Sequence, residues 1–365
     1  MTMLKKLLIT GVGGIGGVNF VRALRLGSKM LGEKLFIVGT DYNPYHILFP
    51  QVDVRCKTPK HSDPEFIKTL IKLADKHRLE FLHPHPSVEA KVVSKNQNIF
   101  EEIGLKTYLP RPENILPDKF EIYRKMKTHS VPVPETFSIK SLNDIEESFK
   151  VLGKPLWIRV RVGAGGKLSL KINSPEEAKL WIKLNIMQGR AKPQDFIIQE
   201  YLHGRDIAFD SLWFKGKLIT SYSRVRLEYP FKHISLSGIT GTPSVAKTIH
   251  EDKINKVGVA AVLALDPKPH GFYSVDIKED DNGNPYVTEV DGKWHTTASL
   301  WGYAISKVLG DVKYNLAYLY LRLGYNEEIP DVPQTNLFPE NYYLVRQLDS
   351  GVILITDKGE FREVL

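Results

Sequence analysis

Residues 271–295 read Gly-Phe-Tyr-Ser-Val-Asp-Ile-Lys-Glu-Asp-Asp-Asn-Gly-Asn-Pro-Tyr-Val-Thr-Glu-Val-Asp-Gly-Lys-Trp-His. Two strand-like runs, Phe272–Ile277 and Pro285–Val290, flank the polar turn Glu279–Asn284. Asn-Gly between two apolar runs is a strong hairpin signal. The predicted hairpin brings Asp276 on its first strand towards Glu289 on its second. Glu289 and Asp291 are two residues apart, so they share one face. Three carboxylates gathered without partners would repel one another and their pKa values would rise. A hard cation relieves this, and Mg²⁺ held by a few carboxylates plus substrate phosphates suits the pattern. A solvated acidic hairpin is the plain alternative. Against it, Asp276, Glu289 and Asp291 lie in the apolar runs, while the acids expected to be solvated lie in the turn.

Upstream, Pro155–Val162 reads as a strand carrying Arg159 and Arg161, and Leu168–Ile172 reads as another. Between them lies Gly163-Ala164-Gly165-Gly166-Lys167. A phosphate loop of the Walker kind needs a following helix and Lys-Ser/Thr. This loop joins two strands, which predicts a mobile hairpin able to fold over a polyphosphate. Ser174-Pro175-Glu176-Glu177 has the form of a helix start, with Ser174 as cap, Pro175 at the first position and Glu177 completing a capping box. Phe196–Glu200 is a predicted strand leading into Tyr201-Leu202-His203-Gly204-Arg205-Asp206. Ile207–Trp213 and Lys217–Tyr222 form a further hairpin. Ser223–Pro243, with Arg224 and Arg226, reads as an active-site loop. Helices are expected over His250–Leu265, Thr297–Leu309 and Val312–Leu323, and a terminal hairpin over Tyr342–Arg346 and Val352–Thr356.

At the start, Leu7–Thr10 reads as a buried strand entering Gly11-Val12-Gly13-Gly14-Ile15-Gly16-Gly17, then a helix, then the strand Leu35–Thr40 ending at Asp41. This satisfies the dinucleotide fingerprint, yet the same glycines also serve tight strand-to-helix packing. His83 and His85 alternate at a strand end, either beside a ligand or as ordinary loop residues. Pro110-Arg111-Pro112 marks a first boundary. Pro117–Thr128 is a helix containing Asp118-Lys119, stopped by Val131-Pro132-Val133-Pro134.

The 365 residues are 42% hydrophobic and 25% charged, which suits a globular chain of two or three domains. No run reaches the ~18 apolar residues of a membrane span. The single cysteine, Cys56, excludes an internal disulfide framework and a cysteine-based zinc site. A cytoplasmic location is expected. The net charge of +8 gathers early, with 17 Lys/Arg against 10 Asp/Glu in residues 1–112. The lysines are spread along helices without interleaved aromatics, so nucleic acid is not the expected partner.

Taken in order, these parts resemble the ATP-grasp superfamily. The set comprises a Rossmann-like first domain, a helix opening with Asp-Lys and ending in Val-Pro-x-Pro, Gly-Lys-Pro-x-x-x-Arg, the glycine hairpin, Gln-Glu-Tyr-Leu-x-Gly-x-Asp, and Asp-x₁₂-Glu-x-Asp. Its nearest flavour is the synthetase part of the carbamoyl phosphate synthetase large subunit and related carboxylate–amine ligases. The resemblance covers about residues 5–325. It implies an α/β chain with a Rossmann-like parallel-sheet domain over 1–112. A two-subdomain ATP-grasp fold follows over 113–328, with a lid over about 131–203, and an extension fills 329–365.

The resemblance also implies roles. Lys119 and Arg159 would contact ATP phosphates, and Gly163–Lys167, with Gly165, Gly166 and Lys167, would close over them. Gln199, Glu200, Tyr201 and Leu202 would hold adenine, and Asp206 the ribose. Asp276, Glu289 and Asp291 would bind Mg²⁺, with Mn²⁺ as an alternative ion. Arg159, Lys167 and Lys293 would stabilise the transferring phosphoryl group, and Arg224 or Arg226 would hold an acceptor carboxylate. The expected partners are small carboxylates and amines, and a homodimer is compatible with the reading. Glu289-Val290-Asp291-Gly292-Lys293 departs from the family's Glu-x-Asn-x-Arg. A histidine usual near Gly238–Thr242 is also absent. Alternatives are a kinase-like member releasing a phosphorylated product, an NAD(P)-dependent oxidoreductase using Gly11–Gly17 and Asp41, and a nucleotide-binding protein without catalysis.

Overall fold

The computed structural model describes residues 4–163, 165–347 and 351–364. Met1–Met3 of the basic start and Ala164 of the glycine hairpin lie outside the described residues.

The first sheet is five-stranded, in the order β3-β2-β1-β4-β5. Its strands are β1 (Leu4–Thr10), β2 (Lys34–Asp41), β3 (Val54–Lys57), β4 (Phe81–Pro84) and β5 (Lys106–Thr107). All its pairings are parallel. Parallel strands covered on both faces read as continuous apolar runs, as Leu7–Ile9 do. The covering helices are α1 (Ile15–Met30), α2 (Glu65–His77), α3 (Ser87–Lys95) and α4 (Gln97–Glu102).

The second sheet has the order β6-β9-β7-β8. It comprises β6 (Thr136–Ser138), β7 (Leu156–Val160), β8 (Leu170–Ile172) and β9 (Phe196–Glu200). β7 and β8 pair antiparallel, so the glycine stretch between them is a hairpin loop as expected. Helix α5 (Lys119–Thr128) precedes this sheet and buries Ile122 and Met126 in the core of the third sheet, while two helices, α6 (Asp144–Leu152) and α7 (Pro175–Met187), pack on the second sheet itself. Asp118 caps α5 by accepting from the N–H groups of Phe120 and Glu121. At α7, Ser174 caps as predicted, but Glu177 reaches one residue further back, to the N–H of Asn173.

The third sheet is eight-stranded, in the order β14-β13-β10-β11-β12-β15-β16-β17. Its members are β10 (Asp206–Phe214), β11 (Lys217–Glu228), β12 (Val245–Ile249), β13 (Gly271–Glu279), β14 (Pro285–Asp291), β15 (Tyr343–Gln347), β16 (Gly351–Ile355) and β17 (Phe361–Glu363). The helices α8 (Asp252–Leu265), α9 (Ala298–Leu309) and α10 (Leu316–Gly324) complete the element order. The terminal hairpin forms, and β15 pairs with β12, so the C-terminal strands extend this sheet. β11 runs to Glu228, so Arg224 and Arg226 sit on a strand rather than in the expected loop.

Two details of the acidic hairpin differ from expectation. β13 continues through Glu279, which is 3% exposed and paired with Arg205 and Lys253 instead of being solvated in the turn. The turn is held by Asp280, whose carboxylate accepts from the N–H groups of Asn282 and Asn284.

The segment between the first sheet and α5 is laid against this hairpin. A methyl group at Gly292 would fall 2.7 Å from Pro110, and one at Gly271 2.9 Å from it. Only glycine allows that approach at Gly271, where φ is +96°. The Gly292 N–H donates to the Asn114 carbonyl at 2.7 Å. Asp266 gathers Arg111, Asn114 and Tyr273. The first sheet is thereby fixed relative to the acid-bearing strands.

Candidate active site

A cavity of about 660 Å³ opens between the second and third sheets, with Ser87 at the N-terminus of α3 also on its wall. One end is lined by Trp157, Gln199, Glu200, Tyr201, Leu202 and Asp206. The other carries Arg159, Arg226, Asp276, Glu289, Lys293 and His295. Gly165 and Gly166 face Ile239 and Gly241 across it: a methyl group at Gly166 would touch Ile239 at 3.1 Å.

The acid strands behave as the register dictates. Asp276 and Glu289 are cross-strand partners, and Asp291 opposes Ser274. The three carboxylates do not form one cluster, because cations separate them. Glu289 Oε2 lies 2.9 Å from Arg159 Nη2 and 3.5 Å from Lys119 Nζ, and Oε1 lies 3.1 Å from Lys293 Nζ. Burial works to raise the Glu289 carboxyl, but Lys293, Lys119 and Arg159 outweigh it and bring it down to about 2. Asp291 is turned elsewhere. Its Oδ2 holds Lys293 at 2.9 Å and its Oδ1 accepts the Leu116 N–H at 2.8 Å. Burial pushes the Asp291 carboxyl up. Among the described residues, no three His, Cys, Asp or Glu side chains gather into a metal centre.

Asp276 differs from both. Its Oδ1 takes Arg226 Nη2 at 2.5 Å and His295 Nε2 at 3.0 Å. No donor among the described residues reaches its Oδ2. Burial opposes the charge, yet Arg226 and His295 hold this carboxyl well below its usual range. A divalent cation is therefore suited by Asp276 Oδ2 with Glu289 as neighbour, completed by oxygens from a ligand.

The other expected site residues fall into three groups. Gln199, Glu200, Tyr201, Leu202 and Asp206 line the cavity together, with Asp206 accepting from Arg226 and Tyr229. Lys119 stands just behind the wall, 5% exposed, its ammonium 2.7 Å from the Gly163 carbonyl. Burial lowers its pKa. Lys167 is exposed on the hairpin and is not part of the lining. Arg224 is the clear correction. It is 1% exposed and ion-paired with Asp210 inside the sheet, so it does not reach an acceptor. Arg226 does face the cavity, but Asp206 and Asp276 already share it.

Sequence reading passed over Trp157, Tyr229 and His295. Trp157 was legible, since it shares a strand face with Arg159. Tyr229 and His295 were not, because their importance comes from contacts with residues far away in the chain.

The glycine loop at the start of α1 is filled by the protein itself. A methyl group at Gly13 would lie 2.5 Å from the His46 backbone, and one at Gly16 2.3 Å from His85 Nε2. Asp41 accepts from the N–H groups of Gly13 and Asn43. The glycines serve packing, and the acid that a dinucleotide ribose would need is spent on the loop. His83 bonds Tyr320 and His85, each at 3.2 Å, while stacked on Phe20. Burial depresses both histidines.

Residues 116–297 match the sequence profile of the ATP-grasp domain. The chain belongs to the ATP-grasp superfamily. Among curated relatives it is similar to the glutamate–LysW ligase ArgX of Sulfurisphaera tokodaii, 27% identical over 49% of this chain and 61% of that protein. The ArgX of Sulfolobus acidocaldarius is 22% identical over 47% and 58%. The chain thus spans less than two thirds of the length of these relatives. Among solved structures, the biotin carboxylase domain of Hydrogenobacter thermophilus 2-oxoglutarate carboxylase aligns with a TM-score of 0.68 and 17% identity, covering 94% of this chain and 74% of that one. Staphylococcus aureus N5-carboxyaminoimidazole synthetase complexed with ADP aligns at 0.67 and 15%, covering 94% and 83%. These likenesses concern the ATP-grasp fold. No helix among the described residues is long and apolar enough to cross a membrane.

Proposed function

We propose that this ATP-grasp chain binds ATP with Mg²⁺ and activates a carboxylate as an acylphosphate, which an amine or ammonia then attacks. The observation that carries the reading is the end of the cavity where the free Asp276 Oδ2 lies beside Glu289, with Lys119, Arg159 and Lys293 around them. That arrangement offers one seat for a cation and three cations for phosphate oxygens. The named activity of the ArgX relatives supports ligation, and the ADP complexes among the structural neighbours support a nucleotide.

Adenine would lie by Trp157, Glu200, Tyr201 and Leu202, and the ribose hydroxyls by Asp206. Asp276 and Glu289 would hold Mg²⁺, which neutralises charge on the phosphates. Asp291 would instead steady Lys293. A carboxylate oxygen attacks the γ-phosphorus and the bond to the β-phosphate oxygen breaks, releasing ADP. The amine nitrogen then attacks the acyl carbon, phosphate leaves with the bonding pair, and the nitrogen gives up a proton to solvent to leave the amide. Phosphoryl transfer asks the protein for alignment and charge neutralisation, which Arg159, Lys119 and Lys293 provide. The glycine hairpin closing towards Ile239 and Gly241 would keep water from the acylphosphate.

The test is a screen of small carboxylates with Mg-ATP and hydroxylamine, reading ADP and hydroxamate together. Hydroxamate with matching ADP supports ligation through an acylphosphate. A stable phosphorylated product that needs no amine would transfer the assignment to a kinase-like reaction. No nucleotide binding in calorimetry would remove the reading.

A further inference from the structure

We infer that His295 is a positioning residue, which fixes the Asp276 carboxylate so that only Oδ2 is offered to the cation. The inference rests on the ATP–Mg²⁺ reading above and assigns a role to a residue outside the expected site set.

Arg226 Nη2 donates to Asp276 Oδ1, and His295 Nε2 lies 3.0 Å from the same oxygen and 3.2 Å from Arg226 Nη2. Together they define the plane of the carboxylate. Oδ2 is left facing the cavity beside Glu289, the cross-strand partner of Asp276. His295 is itself held at its other ring nitrogen, Nδ1, 2.7 Å from Asp210 Oδ1, and its backbone N–H donates to the Ser274 hydroxyl. Asp210 has a fully buried side chain and is ion-paired with the buried Arg224. A file of paired polar side chains therefore runs Arg224, Asp210, His295, Asp276, Arg226, Asp206, from the interior of the sheet to the cavity wall.

Each member limits the rotation of the next. The far end of the file cannot move, because Arg224 has no route out of the sheet. Groups that hold a ligating carboxylate from behind are worth roughly 10–100-fold in metal affinity. The file also accounts for Arg224, whose charge would otherwise be a costly burial without benefit. With Oδ1 occupied twice, Asp276 binds a cation through one oxygen rather than two.

The experiment is calorimetric titration of the full chain with the β,γ-imido analogue of ATP, with and without Mn²⁺. The quantity read is the factor by which the metal tightens analogue binding. His295→Gln keeps the size of the side chain but can donate to only one of its two carboxylates. It is expected to reduce that factor about 10-fold or more, while leaving metal-free analogue affinity within about 2-fold. Asp276→Ala should lose at least as much, and the double variant no more than Asp276→Ala alone, because the two act as one unit. His295→Ala serves as the second single variant, with its thermal midpoint recorded. A metal factor in both His295 variants equal to that of the wild type overturns the inference. So does an equal loss of metal-free and metal-dependent binding, which marks general damage. A wild-type protein that binds the analogue but gains nothing from Mn²⁺ removes the metal reading and this inference with it.

Discussion

Arg159 Nη2 lies 2.9 Å from Glu289 Oε2, joining β7 of the second sheet to the acid strand of the third across 130 residues. The pair places the proposed phosphate-binding cation and the proposed cation-binding carboxylate in contact, and both line the cavity. Removing Arg159 leaves Glu289 with Lys119 and Lys293, and the fold should hold. Arg159→Met is expected to weaken binding of a non-hydrolysable ATP analogue by about 2 kcal/mol, roughly 30-fold, as for a lost hydrogen bond to a charged group. Calorimetry with the wild type alongside checks this. Equal affinities would take Arg159 out of the phosphate site.

The Gln199–Leu202 wall of the cavity and its acid strands were legible because strand alternation and hairpin chemistry are local. Phe196–Glu200 and the hairpin at Asn282-Gly283 follow from apolar runs and turn residues a few positions apart. What could not be read was how charges are shared. Asp291 was expected beside Asp276 and Glu289, but Leu116 and Lys293 take both its oxygens. Arg224 was expected at the acceptor, but Asp210, on the neighbouring strand, takes it inward. Leu116 lies in the connection before α5, far from Asp291 in the chain. The inward turn of Arg224 depends on the register of β11 against β10, and neither relationship is displayed by the residues beside the one concerned. Glu279 shows the same limit, since the turn looked polar while Arg205, 74 residues away, draws the side chain under cover.

The glycine loop tests the oxidoreductase alternative directly. In Gly16→Ala the new methyl group would stand 2.3 Å from His85 Nε2, so the ring must shift and its bond to His83 must strain. Overpacking of this kind costs roughly 1–3 kcal/mol. The expected result is a lower thermal midpoint with unchanged affinity for the ATP analogue, and no binding of NADH by either protein. NADH binding that Gly16→Ala abolishes would restore the dinucleotide role of the loop.

Glu89 supplies a pH dependence away from the cavity chemistry. It is 4% exposed near Gly11, and its Oε2 has no hydrogen-bond partner. Burial, reinforced by the nearby Asp41 charge, pushes its carboxyl up to about 7 from 4.5. The folded chain then binds a proton that the unfolded chain has released. That contribution is complete below the unfolded value and is lost as pH rises through about 7, so stability should fall across this interval. The ceiling is on the order of 3 kcal/mol. Glu89→Gln stays neutral, so its thermal midpoint should change less between pH 5 and pH 8 and exceed that of the wild type at pH 8. Parallel midpoint curves for the two proteins would refute this account of Glu89.

Glu289 is both the expected cation ligand and the counter-charge of Lys119, Arg159 and Lys293. A role as cation ligand alone would let Glu289→Ala stop metal-dependent chemistry with the fold intact. The geometry argues otherwise, because alanine would leave Lys119 and Arg159 without this counter-charge and Lys293 with Asp291 alone, the two lysines having side chains only 4% and 11% exposed. Removing one partner of a buried pair costs about 3–5 kcal/mol. Glu289→Gln keeps an oxygen for those donors and should cost less. Both variants are therefore expected to lose the metal-dependent gain in ATP-analogue affinity, but Glu289→Ala should also unfold at a clearly lower temperature than Glu289→Gln. Scanning calorimetry of both beside the wild type decides the point. Equal midpoints for the three proteins would mean that Lys119, Arg159 and Lys293 do not depend on this carboxylate. Glu289 would then be only a cation ligand, as the sequence suggested.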